Sequence, residues 1–218
     1  MKIKTKISLL CLVILVVPTV ALLVSGCSGG DALEHLQQGN LYLDQGQWQS
    51  AITEYDKAIK IDPYLADAYC NRAAAYGSIG KLTLAKADVD KAIELNPNMA
   101  KAYNNRGKIY LVSRKFEEAI TDLSTAINLD PTRAEAYSDR GWAYFNLEYP
   151  QSALKDLNMA IELDPNMAVA YSNRGWLHYT MKKYDLSSDD FNMAIKLSDD
   201  PELIQAAEKG LELIEASK

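Results

Sequence analysis

The sequence predicts an all-α protein: a right-handed α-solenoid of five helix-turn-helix units closed by a C-terminal capping helix. Three observations predict it. Pro63, Pro97, Pro131 and Pro165 fall 34 residues apart. The same residue classes return at the same places between them, as in AYNNRGK from Ala102, AYSDRGW from Ala136 and AYSNRGW from Ala170. After the last unit, PELIQAAEKGLELIEAS reads as one amphipathic helix. A fixed period of this length marks stacked repeats, because each unit has more apolar surface than it can cover alone.

Residues 1–26 stand apart from the repeats. MKIKTK carries three Lys and no acid, and Ile7 to Val24 is apolar except for Ser8, Pro18 and Thr19. A basic start before an apolar stretch is the physical form of a secretory signal. LVSGC, Leu23 to Cys27, resembles the lipobox of bacterial lipoproteins: an aliphatic residue, a small residue, Gly, then Cys. The resemblance implies a lipoprotein signal peptide over 1–26, cleavage after Gly26, and diacylglyceryl attachment to the Cys27 sulfur. The alternative is an uncleaved membrane helix, since the stretch is nearly long enough to span. Either way the remainder sits outside the cytoplasm on a membrane tether. The expected location is the cell membrane or outer membrane, lipid-anchored, on the extracytoplasmic side; two or three acyl chains hold where one is marginal. Residues 27–31, with Ser28 and the Gly pair after Cys27, form a short spacer.

Charge and cysteine content narrow the partners. The chain has 218 residues, with 23 Lys and Arg against 29 Asp and Glu. Removing 1–26 takes three Lys and no acid, leaving a formal charge of −9. Nothing basic enough to follow a phosphate backbone stands out, so nucleic acid is not an expected partner. Cys11 leaves with the signal and Cys27 carries lipid, so only Cys70 remains and no internal disulfide forms.

The five units are 32–65, 66–99, 100–133, 134–167 and 168–201; the capping helix covers 202–218. Position 8 of each unit is small: Gly39, Ala73, Gly107, Gly141, Gly175. Position 11 is aromatic in four, from Tyr42 to Tyr144, and His178 in the fifth. Position 20 is Ala or Ser, position 24 is large and apolar, and position 27 is always Ala. Positions 4, 7, 8 and 11 share one face of a first helix; 20, 24 and 27 share one face of a second. Small residues at 8 and 20 let the two helices approach. Asp-Pro or Asn-Pro ends the second helix, because the residue before proline is pushed out of the α region. In the cap, Leu203, Ala207, Leu211 and Ile214 fall on one face, and Gly210 is expected to weaken it modestly.

This pattern resembles the tetratricopeptide repeat family over nearly all of the chain after the signal. The resemblance implies a protein-binding scaffold whose concave wall is lined by the first helices, at positions 2, 5, 6, 9, 12 and 13. Position 7, usually Leu in that family, is Arg72, Arg106, Arg140 and Arg174 here. Position 23 supplies one acid for each: Asp88, Asp122, Asp156 and Asp190. One acid per Arg at fixed phase predicts structural ion pairs within units two to five, since a guanidinium fork suits a partly desolvated carboxylate. The first unit has Gln38 and Glu54 instead.

The candidate partner-binding groove comprises Asn40, Asn71, Lys101, Asn105, Lys108, Asp139, Trp142, Phe145, Asn173, Trp176 and Tyr179. Asn71, Asn105, Asp139 and Asn173 share position 6; they either bracket the backbone of an extended peptide or are solvated by water. Trp142 with Phe145, and Trp176 with Tyr179, are i,i+3 pairs, so each shares a helix face. Other units stack without Trp at position 9, which favours recognition over seam filling. Chaperone-binding members of the family hold a C-terminal carboxylate with two Lys, two Asn and one Arg. Asn40, Asn71 and Lys101 match that clamp, but Leu36 and Asn105 replace two of its cations, which argues against such capture.

No catalytic, cofactor or metal site is expected. His35 and His178 lie in units one and five with no ligand spacing around them. His178 reads as a core residue, and Cys70 as a small residue, not a reactive thiol. Phosphate loops and nucleophile elbows are missing. Two readings follow: a membrane-tethered, non-catalytic scaffold binding a peptide or protein segment in its groove, or a structural subunit of an envelope complex contacting through convex or capping faces.

Overall fold

The protein is described here by a computed structural model covering residues 25–217, with side chains from Gly30 onward. Residues 1–24 of the expected signal, and the Cys27 side chain with its expected lipid, lie outside the described residues. Eleven helices and no strand make up the described chain. The first helices of the units are α1 (Ser25–Asp44), α3 (Ala66–Ser78), α5 (Ala100–Val112), α7 (Ala134–Asn146) and α9 (Ala168–Thr180). The second helices are α2 (Trp48–Ile61), α4 (Leu82–Leu95), α6 (Phe116–Leu129), α8 (Pro150–Leu163) and α10 (Tyr184–Leu197). α11 (Pro201–Glu215) closes the array.

Each first helix packs on its own second helix, and each second helix packs on the next first helix. First helices also touch one another along the array, whereas second helices do not. The first helices therefore form the tighter, inner layer of an α-solenoid, and the second helices its wider outer layer. That arrangement gathers five first-helix faces onto one concave wall.

Two kinds of turn keep the phase. Between units, the residue before each proline leaves the helix in an extended conformation, as Asp62 does with φ −126° and ψ 96°. Its side chain then accepts from the amide two residues on: Tyr64 N to Asp62 Oδ1 at 2.9 Å, and Asn166 N to Asp164 Oδ1 at 2.9 Å. That Asx turn explains why Asp or Asn precedes the proline. Within units, position 15 is left-handed every time: Gly46, Gly80, Arg114 (φ 57°), Glu148 (φ 62°) and Lys182 (φ 59°).

Position 8 meets position 24 across the helix pair. A Cβ on Gly107 would lie 2.7 Å from Leu123 Cγ, and one on Gly141 2.8 Å from Leu157 Cγ. Unit two has Ala73 at position 8, and there the facing residue is the smaller Val89; both are buried in one cluster. Position 27 is Ala in every unit and fully buried.

The ends differ from the sequence reading. α1 begins at Ser25, so residues 27–31 are helical where a spacer is expected. The stretch holds no proline, and it runs directly into a helix whose Ala32 is buried. α11 starts at Pro201, with Asp200 Oδ1 accepting from Glu202 N at 2.9 Å as its cap. Gly210 is not merely a weak helix former: a Cβ there would strike the Phe191 ring, so the glycine lets α11 sit flat on that side chain.

Candidate functional site

Four arginines tie the first helices down. Arg106 donates from Nε and Nη2 to the two oxygens of Asp122 at 2.7 and 2.8 Å. Arg72 meets Asp88, Arg140 meets Asp156 and Arg174 meets Asp190 in the same two-pronged way. These four acids are buried, so the fork geometry and the charge act together in a poorly solvated place. Each guanidinium also stacks on a Tyr one turn earlier; Arg106 Cζ lies 5.6 Å from the Tyr103 centroid.

The third arm of each Arg escapes sequence reading. Its Nη1 reaches back to position 25 of the unit before: Arg72 to Asp56, Arg106 to Asp90, Arg140 to Ser124 and Arg174 to Asn158. Each Arg therefore joins two units. In unit one, Glu54 has no Arg and takes His35 Nδ1 and Lys57 Nζ instead, both at 2.7 Å. In unit five, buried His178 sets Nδ1 3.0 Å from Asp190 Oδ2. Burial lowers the His178 pKa despite Asp190, so the fold favours the neutral imidazole.

The groove divides into three parts. At its start, polar groups satisfy one another across three first helices. Asn40 Oδ1 accepts from Tyr55 Oη and from Asn71 Nδ2, at 2.9 and 2.7 Å. Lys101 Nζ donates to Asn71 Oδ1 at 2.8 Å. Asn105 Nδ2 donates to the Cys70 carbonyl at 3.3 Å. Cys70 is buried, and burial pushes its thiol up to about 11, so it is an inert packing group at neutral pH. Beside this relay, Ala74 and Gly77 leave a cleft of about 340 Å³ reaching Lys108 and exposed Val112.

The middle is polar and incompletely paired. Lys108 Nζ stands 3.7 Å from Glu135 and 3.9 Å from Asp139, beyond hydrogen-bond range of both. Asp139 Oδ2, Ser138 Oγ, Asn104 Oδ1 and Arg133 Nε are buried without a hydrogen-bond partner. Burial pushes the Asp139 carboxyl up to about 6, against the pull of Lys108 and with the push of Glu135.

The last part carries the aromatics, which do not act as one patch. Trp142 stacks on Phe145 with centroids 5.2 Å apart, and both are half-buried on the groove wall. Phe145 also edges a second cleft of about 490 Å³ with Leu177, Thr180 and Met181. Trp176 instead packs edge-on to Phe191 at 5.1 Å, and it and Tyr179 join the cluster of Leu203 and Leu211 under α11. Unit five's pair thus belongs largely to the cap seam, while Asn173 remains half-buried on the wall.

Family models described as tetratricopeptide or TPR repeats match residues 39–80, 66–99, 89–121 and 107–172. No curated protein matches the chain. Among solved structures, PilF of Pseudomonas aeruginosa aligns with a TM-score of 0.71 at 20% identity, covering 88% of this chain and 91% of its own. The thermophilic TPR protein TTC0263 of Thermus thermophilus aligns with a TM-score of 0.71 at 20% identity, covering 83% and 98%. The first TPR domain of Spaghetti (RPAP3), bound to the HSP90 peptide SRMEEVD, shares 33% identity over 55% of this chain and 95% of its own, with a TM-score of 0.53.

Proposed function

Because this chain is a tetratricopeptide repeat protein, we propose that it is a non-catalytic scaffold that binds a peptide or protein segment along its first helices. Lipid on Cys27 holds it at the outer side of a membrane. One observation carries the binding reading: the middle of the concave wall holds buried polar atoms without partners, next to the half-buried Trp142–Phe145 stack. A purely structural array would satisfy those groups internally, as its own first third does.

The mode differs from carboxylate capture. Asn40, Asn71 and Lys101 are bonded to one another, and Leu36 and Asn105 stand where further cations would be needed. The acidic peptide bound by the Spaghetti domain is therefore no guide to the chemistry of a segment bound here. The packing of Trp176 and Tyr179 under α11 favours a structural role for that pair, which confines recognition to units three and four and the start of five.

Affinity capture tests this. The full chain in detergent serves as bait for solubilised membranes, beside a Trp142→Ala variant of equal helicity. Trp142 is the proper choice because Trp176→Ala would hollow the cap seam. The expected result is a partner held by the parent and lost with Trp142→Ala. Equal capture by both would move recognition off the concave wall.

A further inference from the structure

We propose that the middle of the groove is a cation subsite, which seats one Lys or Arg side chain of the partner segment against Asp139 between α5 and α7. The inference rests on the groove-binding reading and names the chemistry that the groove selects.

The argument starts from register. Asn105 Nδ2 lies 3.3 Å from the Cys70 carbonyl and 3.5 Å from its Sγ, so position 6 of one unit meets position 5 of the unit before. Asp139 and Asn104 occupy those two places one unit further on. There no hydrogen bond is made: the acceptors Asp139 Oδ2 and Asn104 Oδ1 both lack a partner. Asn104 is 1% exposed, so open solvent does not satisfy it. Leaving such acceptors unpaired is costly, most of all for a carboxylate.

Two unpaired acceptors that the register sets on neighbouring helices call for a donor-rich group. Glu135 adds negative charge close by, and an ammonium or guanidinium supplies both the charge and several N–H groups. Lys108 does not fill this role, since at 3.9 Å it stops short of a hydrogen bond and is shared with Glu135. Among the described side chains, Arg133 Nε and the Ser138 hydroxyl are the other buried groups without partners; the first belongs to a guanidinium already held by Asp130 through Nη2 at 3.0 Å, and the second is neutral and cannot balance the carboxylate. Trp142 is three residues after Asp139, so its indole shares the same helix face. A cation on Asp139 therefore lies beside an aromatic face as well as a carboxylate. No other unit combines these: the counterparts of Asp139 at position 6 are Gln37, Asn71, Asn105 and Asn173.

A positional-scanning library of acetylated, amidated octapeptides, panned on the full chain in detergent, tests the subsite. The parent is expected to enrich Lys or Arg at one peptide position by about tenfold over Glu. Asp139→Asn should lose that enrichment while keeping preferences at other positions. Lys108→Met, which alters an exposed side chain and leaves folding intact, should sharpen the basic preference by removing a competing cation. Peptides bound by the parent without a basic preference would overturn the subsite and leave the groove reading standing, as would an Asp139→Asn variant with its preference unchanged or a Lys108→Met variant with a weaker one. Failure of the parent to hold any peptide would overturn both.

Discussion

Asp139 shows how one side chain can be stable enough to keep and still poorly placed. Its carboxyl is pushed up to about 6, above the ordinary value near 3.9, because burial disfavours the anion more than Lys108 favours it. The folded state therefore holds a proton that the unfolded chain has already lost between about pH 4 and pH 6. Stability attributable to this group falls as pH rises through that window, the opposite of the usual carboxylate. Asp139→Asn should be more stable than the parent at pH 7, by on the order of 1–2 kcal/mol, and equal to it at pH 4. Urea denaturation at the two pH values reads the difference, and a less stable variant at pH 7 would contradict the account. Asp139 was visible in the sequence as the acid among position-6 asparagines. Its want of a partner was not, because that depends on how far Lys108 and Asn104 reach across the wall.

At the scale of the element, two couplings hold a unit together, and both were partly legible. The Arg–Asp phase recurs in units two to five, and the small residue at position 8 in all five. The backward arm of each Arg was hidden, since its acceptors are Asp56, Asp90, Ser124 and Asn158 and share no chemical class. The left-handed turn at position 15 was signalled by Gly46 and Gly80 and masked by Arg114, Glu148 and Lys182. Arg106→Met should cost about 3–5 kcal/mol, because it strands buried Asp122. Adding Asp122→Leu should recover most of that loss in thermal denaturation; no recovery would mean the pair matters for something beyond charge burial. Gly141→Ala should cost about 1–3 kcal/mol, from the clash with Leu157. Leu157→Val in the same chain should relieve it, since unit two already pairs Ala73 with Val89. A double variant no better than the single one would show that position 24 does not set the space at position 8.

For the whole molecule, five copies of one helix pair give a wall with three different characters: self-paired at the start, unpaired in the middle, aromatic at the end. The repeat made the array legible from sequence. The capping helix was legible too, and α11 starts at Pro201, within one residue of the 34-residue phase of the first helices; what it packs against was not. Trp176 and Tyr179 read as groove residues from their i,i+3 spacing, and in the fold they border the Phe191 cluster that α11 completes. The central claim is that the concave wall, not the outer layer, meets the partner. Photo-crosslinking in intact membranes tests it most directly, with benzoylphenylalanine in place of exposed Val112 on α5 or exposed Lys155 on α8. The account predicts a discrete crosslinked partner from position 112 and none from position 155. A partner trapped from position 155 alone would contradict it and place recognition on the convex face.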